Sequence, residues 1–327
     1  MSFNAGIVGT GMALPEKVLT NKDIEKFLDT SDEWIRTRTG IRQRTIATED
    51  ESNSTFAVRA AKMALKNADL GAEDIDLLIV ATVTPDMPLP ATACIVQAEI
   101  GATNAAAFDI SAACTGFIYG LTMAESFIKN GNAHNILLIG SELLSKWVNW
   151  EDRTTAVLFG DGAGAVVVSR VPENKGILSS NIHSDGRYVG VLNVPAGGTK
   201  EPFSEKVLEE RRCFITMRGN ELFKIAVRSM ANSGKKALED AGYTADDVKM
   251  VIPHQANQRI TDGVAQRLGV ENERVYANID RIGNSSSATI PIGLHECIES
   301  GKIAEGDLLL LTAFGGGTTW GSAVIRW

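Results

Sequence analysis

Basic residues, cysteines and long apolar runs are in short supply, and each shortage closes off a class of function. Lys and Arg total 32 against 40 Asp and Glu, a formal charge of −8. The overall basic surface of a nucleic-acid binder is therefore missing, and an acidic partner has to be met by a local patch. Only four cysteines occur, Cys94, Cys114, Cys213 and Cys297, widely spaced and without a CxxC pair. That pattern disfavours a disulfide framework and a zinc or other metal site, and fits a reducing, cytoplasmic location. The opening MSFNAGIVGTGMALPEK has neither the basic start nor the long apolar core of a secretion signal. One uncharged stretch, Leu308 to Ile325, reaches 18 residues, but its four glycines and several threonines suit strand, loop and strand better than a bilayer helix. Membrane insertion is not expected.

What is present is an ordinary globular composition: 44% hydrophobic and 22% charged over 327 residues, enough for one large or two medium domains. Strand-like apolar runs alternate with helix-period segments, which predicts an α/β fold. A helical pattern over 61–71 precedes the buried run IDLLIVA at 75–81, and 235–242 followed by 248–253 repeats the layout. At an offset of 173, Ala64 and Leu65 fall on Ala237 and Leu238, Asp74 on Asp247 and Ile79 on Ile252. FGDGAGAVVV at 159–168 is echoed by FGGGTTWGSAVI at 314–325. At an offset of 170, Gly131 falls on Gly301 and Cys114 on Asn284. Three echoes in the same order predict two copies of one α/β unit, at 1–170 and 171–327. Pseudo-twofold packing of such copies would bring equivalent loops, and with them Cys114 and Asn284, to one central cleft.

The strand-like AAAFDI at 105–110, the small SAACTG at 111–116 and the helix-period segment 117–128 place Cys114 at a helix start. Free amides and the helix dipole there favour a thiolate, hence a nucleophile. A buried, inert cysteine is the alternative; the other three cysteines read as structural. His254, in VIPHQAN at 251–257, follows a buried strand, where α/β sheets bind ligands. It could donate from Nε2 to a carbonyl oxygen or act as a base, or be a surface residue at a strand end. Asn284, in IGNSSSATI at 282–290, offers an amide in another tight turn, or merely a cap. Gly315, Gly316 and Gly317 allow a backbone N–H to come close to a substrate, and neither this loop nor GDGAG at 160–164 is a phosphate or dinucleotide fingerprint.

Taken together, six segments resemble the β-ketoacyl-acyl carrier protein synthase III family of thiolase-like condensing enzymes. They are TSDEWI with RTGIR at 30–42, DISAACTGF at 109–117, WEDRTT at 150–155, HQAN at 254–257, GNSSS at 283–287, and FGGG through WGSA at 314–323. The resemblance runs nearly end to end. It implies a five-layer αβαβα fold, a homodimer, and no permanently bound cofactor, with acyl-CoA and malonyl-acyl carrier protein as substrates. It implies that Cys114 is acylated, that the Cys114 and Gly316 amides form an oxyanion hole, and that His254 and Asn284 stabilise the enolate left by decarboxylation beside Phe314. An Asn rather than a second His at 284 separates the chain from elongating synthases, and the lack of a cysteine in 310–327 separates it from thiolases.

Further roles follow from the same resemblance. Trp34 and Arg153 would sandwich the CoA adenine, with Arg38 at the nucleotide end. Thr30 has capping-box spacing to Glu33, placing a helix start near Ser31. Asn220 and Asn257 match positions on the pantetheine arm, and Lys224 and Arg259 match carrier-docking positions. Some of these arginines could equally form a solvated face. Leu89, in TPDMPLPATA at 84–93, stands where many relatives carry Phe, in a loop at the acyl pocket across the dimer interface. It would admit longer or branched primers, or be a neutral swap. The alternatives to an initiating condensing enzyme are a starter or acyl-transferring enzyme of secondary metabolism, a noncatalytic partner of acyl carriers, and a cysteine hydrolase.

Overall fold

The computed structural model describes residues 3–327; Met1 and Ser2, which open the segment read as leaderless and the first expected half, lie outside the described residues. Runs of Val, Ile and Leu form two sheets. The first contains β1 (Phe3–Ala13), β2 (Leu77–Ala81), β3 (Ala106–Ile110), β4 (Asn135–Leu143) and β5 (Asp161–Pro172), in the order β1-β5-β4-β2-β3. The second contains β6 (Gly176–Ser184), β7 (Met250–Pro253), β8 (Leu308–Gly315) and β9 (Thr319–Arg326), in the order β7-β8-β9-β6. The uncharged stretch at 308–325 is thus the β8–β9 hairpin.

Strand senses correspond between the sheets. β2 runs parallel to β4, which pairs antiparallel with β5, which pairs antiparallel with β1. Likewise β7 is parallel to β8, β8 antiparallel to β9, and β9 antiparallel to β6. The chain passes from the first sheet to the second between Pro172 and Gly176, just beyond position 170, which lies inside β5.

Five principal helices are α1 (Asn53–Ala68), α2 (Gly116–Lys129), α3 (Gly219–Ala241), α4 (Gln258–Leu268) and α5 (Thr289–Glu299). Alternation along the strands explains the layering. Leu77 and Ile79 of β2, with Leu309 and Leu311 of β8, pack on Phe117, Ile118 and Leu121 of α2 and on Ile290 and Leu294 of α5, between the sheets. Leu78 and Val80 face the other way, onto Phe56, Ala60 and Ala64 of α1. Leu308 and Leu310 face Val227, Met230 and Leu268 of α3 and α4. The result is helix, sheet, helix, sheet, helix. Helix α1 starts ahead of the 61–71 pattern because Ser52 caps it, exchanging hydrogen bonds with Thr55.

Two glycines bring the halves into contact at the centre. A β-carbon on Gly140 of β4 would sit 2.4 Å from the Ser287 carbonyl oxygen, and one on Gly315 of β8 would sit 2.8 Å from the Cys114 nitrogen. Each central strand thereby lies against the turn that begins a middle-layer helix of the opposite half.

Candidate active site

Strand β3 runs into a tight turn over Ala113–Thr115 that feeds α2. Ala113 is left-handed, with φ 47°, which turns the chain sharply enough to bury Cys114 at the sheet end. The Cys114 amide and the Ser286 hydroxyl, which lines one cavity with the sulfur, both favour the thiolate. Burial outweighs them, and with the nearby Glu142 charge it pushes the thiol up to about 12. The expectation that the helix start stabilises a thiolate is therefore corrected. In the resting site the sulfur carries its proton, because complete removal from water costs an anion more than one turn's amides return.

The counterpart turn, Ser286–Ala288, feeds α5. Ser286 is left-handed here, φ 50°, in the place Ala113 holds in the first half. This corrects the pairing at offset 170: the structural counterpart of Cys114 is Ser287, and Asn284 lies upstream of the turn. Asn284 still reaches the site. Its backbone is tied to the 158–160 segment through Asn284 N to Leu158 O and Gly160 N to Asn284 O, both 3.0 Å. Its Oδ1 accepts from Ser286 N at 2.9 Å, leaving Nδ2–H to donate elsewhere.

His254 follows Pro253 at the end of β7, its N–H held by Thr312 O at 2.8 Å. Burial holds the imidazole neutral, lowering its pKa to about 3. Nδ1 lies 2.8 Å from Thr289 Oγ1, and that hydroxyl also reaches Ser286 O at 2.9 Å. The hydroxyl has one proton. Directed at Ser286 O, it leaves the oxygen to accept Nδ1–H and opens an Nε2 lone pair. Turned to Nδ1, it fixes Nε2–H. The two hydroxyl orientations thus suit the two imidazole tautomers, one with Nε2 as a base and one with Nε2–H as a donor.

A cavity of about 410 Å³ is lined by Cys114, His254, Asn284 and Phe314, and its wall includes Asn220, Lys224, Asn257 and Arg259. A second cavity of about 430 Å³ is lined by Cys114, Val83, Leu144, Ile215, Ser286 and Gly316. Cys114, Phe159 and Leu192 line both, so the sulfur stands where two chambers meet. Both are mostly apolar in lining, suited to a flexible arm on one side and an acyl chain on the other.

Trp34, Arg38, Arg153, Thr30 and Leu89 line neither cavity. Three of them form a cluster: the Arg153 guanidinium lies 4.8 Å from the Trp34 ring centre and that of Arg38 lies 5.6 Å away. Asn257 links the cluster to the cavity wall by donating to Arg38 O at 3.0 Å. Thr30 does not cap the helix Asp32–Thr39. Ser31 does, its Oγ accepting from Trp34 N at 3.1 Å, and the buried Thr30 hydroxyl has no partner. Lys224 and Arg259 are exposed, with Arg259 5.6 Å from the Phe223 ring centre. Leu89 is 85% exposed.

Sequence reasoning missed three residues here: Thr289, Ser286 and Glu142. Glu142 had a visible signal, a lone carboxylate in the apolar run of β4. Gly315 opens the glycine loop, yet it is this residue, rather than Gly316, that comes closest to the Cys114 amide. Among the described residues no cluster of three or more His, Cys, Asp or Glu could hold a metal ion, and no helix is long and apolar enough to cross a membrane.

Comparison with known proteins agrees with this geometry. The family profile 3-oxoacyl-[acyl-carrier-protein (ACP)] synthase III matches residues 108–186, and that of its C-terminal part matches 238–327. The β-ketoacyl-[acyl-carrier-protein] synthase III of Caldanaerobacter subterraneus is 53% identical over 323 residues, 99% of this chain and 98% of that protein. The crystal structure of 3-oxoacyl-[acyl-carrier-protein] synthase III from Aquifex aeolicus superposes with a TM-score of 0.92 at 50% identity, covering all of both chains. The Pseudomonas aeruginosa 3-oxoacyl-(acyl carrier protein) synthase III structure gives 0.92 at 41% identity, over 99% of this chain and 98% of that one. With such identity sustained from end to end on a thiolase-like five-layer fold, the chain belongs to the β-ketoacyl-[acyl-carrier-protein] synthase III family of condensing enzymes.

Proposed function

We propose that the protein performs the initiating condensation of type II fatty-acid synthesis, joining an acetyl or short branched acyl group from acyl-CoA to malonyl-acyl carrier protein. The observation that carries this reading is one cavity lined by a buried thiol, a neutral imidazole and a free carboxamide donor.

In the first half-reaction Cys114 loses its proton and Sγ attacks the thioester carbonyl. The amides of Cys114 and Gly316 receive the oxygen as it becomes anionic. The carbon–sulfur bond to CoA breaks, and CoA leaves as the thiol with the displaced proton. In the second, malonyl thioester enters and its bond to the carboxylate breaks, releasing carbon dioxide and placing the electron pair in an enolate. With the Thr289 hydroxyl turned to Nδ1, His254 Nε2–H and Asn284 Nδ2–H hold the enolate oxygen. Phe314 gives the departing carboxylate an apolar face. The enolate carbon attacks the acyl-cysteine, the carbon–sulfur bond breaks, β-ketoacyl-acyl carrier protein results, and the released Cys114 thiolate takes up a proton from water. Apart from that proton, every atom of the products comes from the two thioesters, so no permanently bound cofactor is required.

Substrate contacts extend this reading. Adenine would stack on Trp34 by taking the place Arg153 now occupies, with Arg38 beside the nucleotide and the Thr30 hydroxyl offering an unused bond. Asn220 and Asn257 would follow the pantetheine arm. Lys224 and Arg259 would meet the acidic carrier locally, against a net charge of −8. The exposed Leu89 fits a homodimer in which it closes the acyl pocket of a partner subunit. Four strands of the first sheet match the four of the second in order and sense, which supports descent from a duplicated unit. Four free cysteines accord with a cytoplasmic setting.

The test is mass spectrometry of the Cys114 peptide after incubation with acetyl-CoA, followed by addition of malonyl-acyl carrier protein. An acetyl increment that disappears as acetoacetyl-carrier forms is expected. A protein that never acquires the increment, or that only hydrolyses the thioester, would overturn the reading.

A further inference from the structure

Glu142, the penultimate residue of β4, is fully buried directly behind the nucleophile. Its carboxylate is surrounded by donors from both halves. Oε2 accepts from Val83 N at 3.1 Å, Thr84 Oγ1 at 2.8 Å and Thr82 Oγ1 at 3.2 Å. Oε1 accepts from Ser286 Oγ at 3.0 Å and Ser287 Oγ at 3.2 Å. Among the described residues no Lys, Arg or His forms an ion pair with it. A charge buried without a counterion costs stability and is retained where it has a task. The steps above assign it none, although they leave open where the Cys114 proton goes before CoA departs.

The geometry points to Glu142 as the acceptor of the Cys114 proton, delivered through the Ser286 hydroxyl. Ser286 Oγ donates to Oε1 at 3.0 Å, and its turn packs on the 113–115 turn, where Ser286 and Cys114 line one cavity. The step balances within three residues. The S–H bond breaks as a new Oγ–H bond forms, and the original Oγ–H bond breaks as Oε1–H forms. A thiol and a carboxylate become a thiolate and a carboxylic acid, with no change in net charge. When CoA departs, the proton returns along the same chain toward the leaving sulfur.

The electrostatics run the same way. Burial raises the pKa of Glu142, so the interior favours its neutral acid. The carboxylate is itself one reason the thiol is held up, so protonating it removes a penalty on the thiolate. From the 113–115 turn Cys114 is the titratable group facing Glu142. The segment after β2 and the 286–288 turn supply only hydroxyls and one amide, and His254 connects to that turn only through Thr289.

The inference rests on Cys114 being the nucleophile, but its test needs no substrate and can fail separately from the proposed reaction. Alkylation of Cys114 by iodoacetamide is followed on its peptide from about pH 5 to about pH 10. A thiol titrating alone gains rate about tenfold per pH unit below its pKa. A thiol sharing one proton with Glu142 holds a constant thiolate fraction between the pair's first and second proton losses, so the wild-type rate is flat across that interval. Glu142→Gln should convert the plateau to the tenfold slope, and the milder Ser286→Ala, which keeps both titrating groups but removes the hydroxyl between them, should lower the plateau while leaving it flat. A wild-type profile that already rises tenfold per unit, a plateau that survives in folded Glu142→Gln, or one of unchanged height in folded Ser286→Ala would overturn the inference.

Discussion

Gly315→Ala tests how closely β8 controls the nucleophile. The added methyl would stand 2.8 Å from Cys114 N, 3.0 Å from Thr115 N and 3.2 Å from Thr115 Oγ1. Two of the three are backbone atoms that cannot rotate away, so the 113–115 turn must retreat by about half an ångström. Overpacking of that kind costs about 1–3 kcal/mol, a fall of a few degrees in melting temperature for a chain of this size. The chemistry should suffer more. A misplacement of about 1 Å costs roughly 10²-fold in a positioned reaction, so half that distance predicts about tenfold slower acylation of Cys114. Stopped acetyl-CoA reactions read by peptide mass, alongside thermal melts, measure both. Gly316→Ala is the comparison, because its methyl would come no nearer than 3.3 Å to any atom, the closest being Leu192 O. Equal loading rates for wild type and Gly315→Ala, or equal losses at 315 and 316, would refute the argument that the 315 contact positions the sulfur.

Three other outcomes are expected. Thr289→Val removes the hydroxyl that sets the His254 tautomer, so condensation should fall about 10²-fold while Cys114 acylation changes little; equal loss in both half-reactions would contradict this. Arg259→Glu should weaken use of the carrier-linked substrate, raising its KM, while acylation from acyl-CoA is spared; unchanged carrier KM would remove Arg259 from the docking surface. His254 stays unprotonated to about pH 3 when folded but takes a proton near 6.5 when unfolded. Its contribution is therefore complete above pH 6.5 and is lost as pH falls below it, by up to about 1.4 kcal/mol per pH unit. Denaturant titrations of wild type and His254→Asn at neutral and acid pH should converge accordingly, and parallel curves would show the imidazole to be less buried than it is here.

The layers were legible because strands buried on both faces leave unbroken apolar runs, as at 77–81 and 308–311. The Cys114 turn was legible because only small residues separate such a run from a helical period. The pairing of the two halves was harder. Gly131 and Gly301 follow their helices at an offset of 170, but α5 has 11 residues where α2 has 14. Matching the helix ends therefore misplaces the helix starts by one turn, and Cys114 fell on Asn284. Thr30 and Ser31 both offer capping hydroxyls, and only backbone geometry selects Ser31. The protonation of Cys114 depends on depth, which no local pattern encodes. Glu142 stood out as a lone charge in β4, yet its hydroxyl partners come from residues as distant as 286 and 287.

These electrostatics bear on why a condensing site is built from neutral groups. At neutral pH the thiol keeps its proton and the imidazole has none, so the cavity presents no permanent charge among its reacting side chains. An ammonium or guanidinium at that depth would bind the malonyl carboxylate and oppose its departure as carbon dioxide. A neutral donor pair does the reverse. In the proposed mechanism His254 and Asn284 would gain little from an uncharged thioester oxygen and much more once that oxygen becomes an enolate, so their stabilisation would fall mainly on the transition state. Phe314, which lines the same cavity, would add to the asymmetry, since an aromatic face receives carbon dioxide more readily than it receives a carboxylate. The arginines, accordingly, stand at the outer wall with Asn257 and in the Trp34 cluster, where nucleotide and carrier can meet charge without passing it to the reacting carbons.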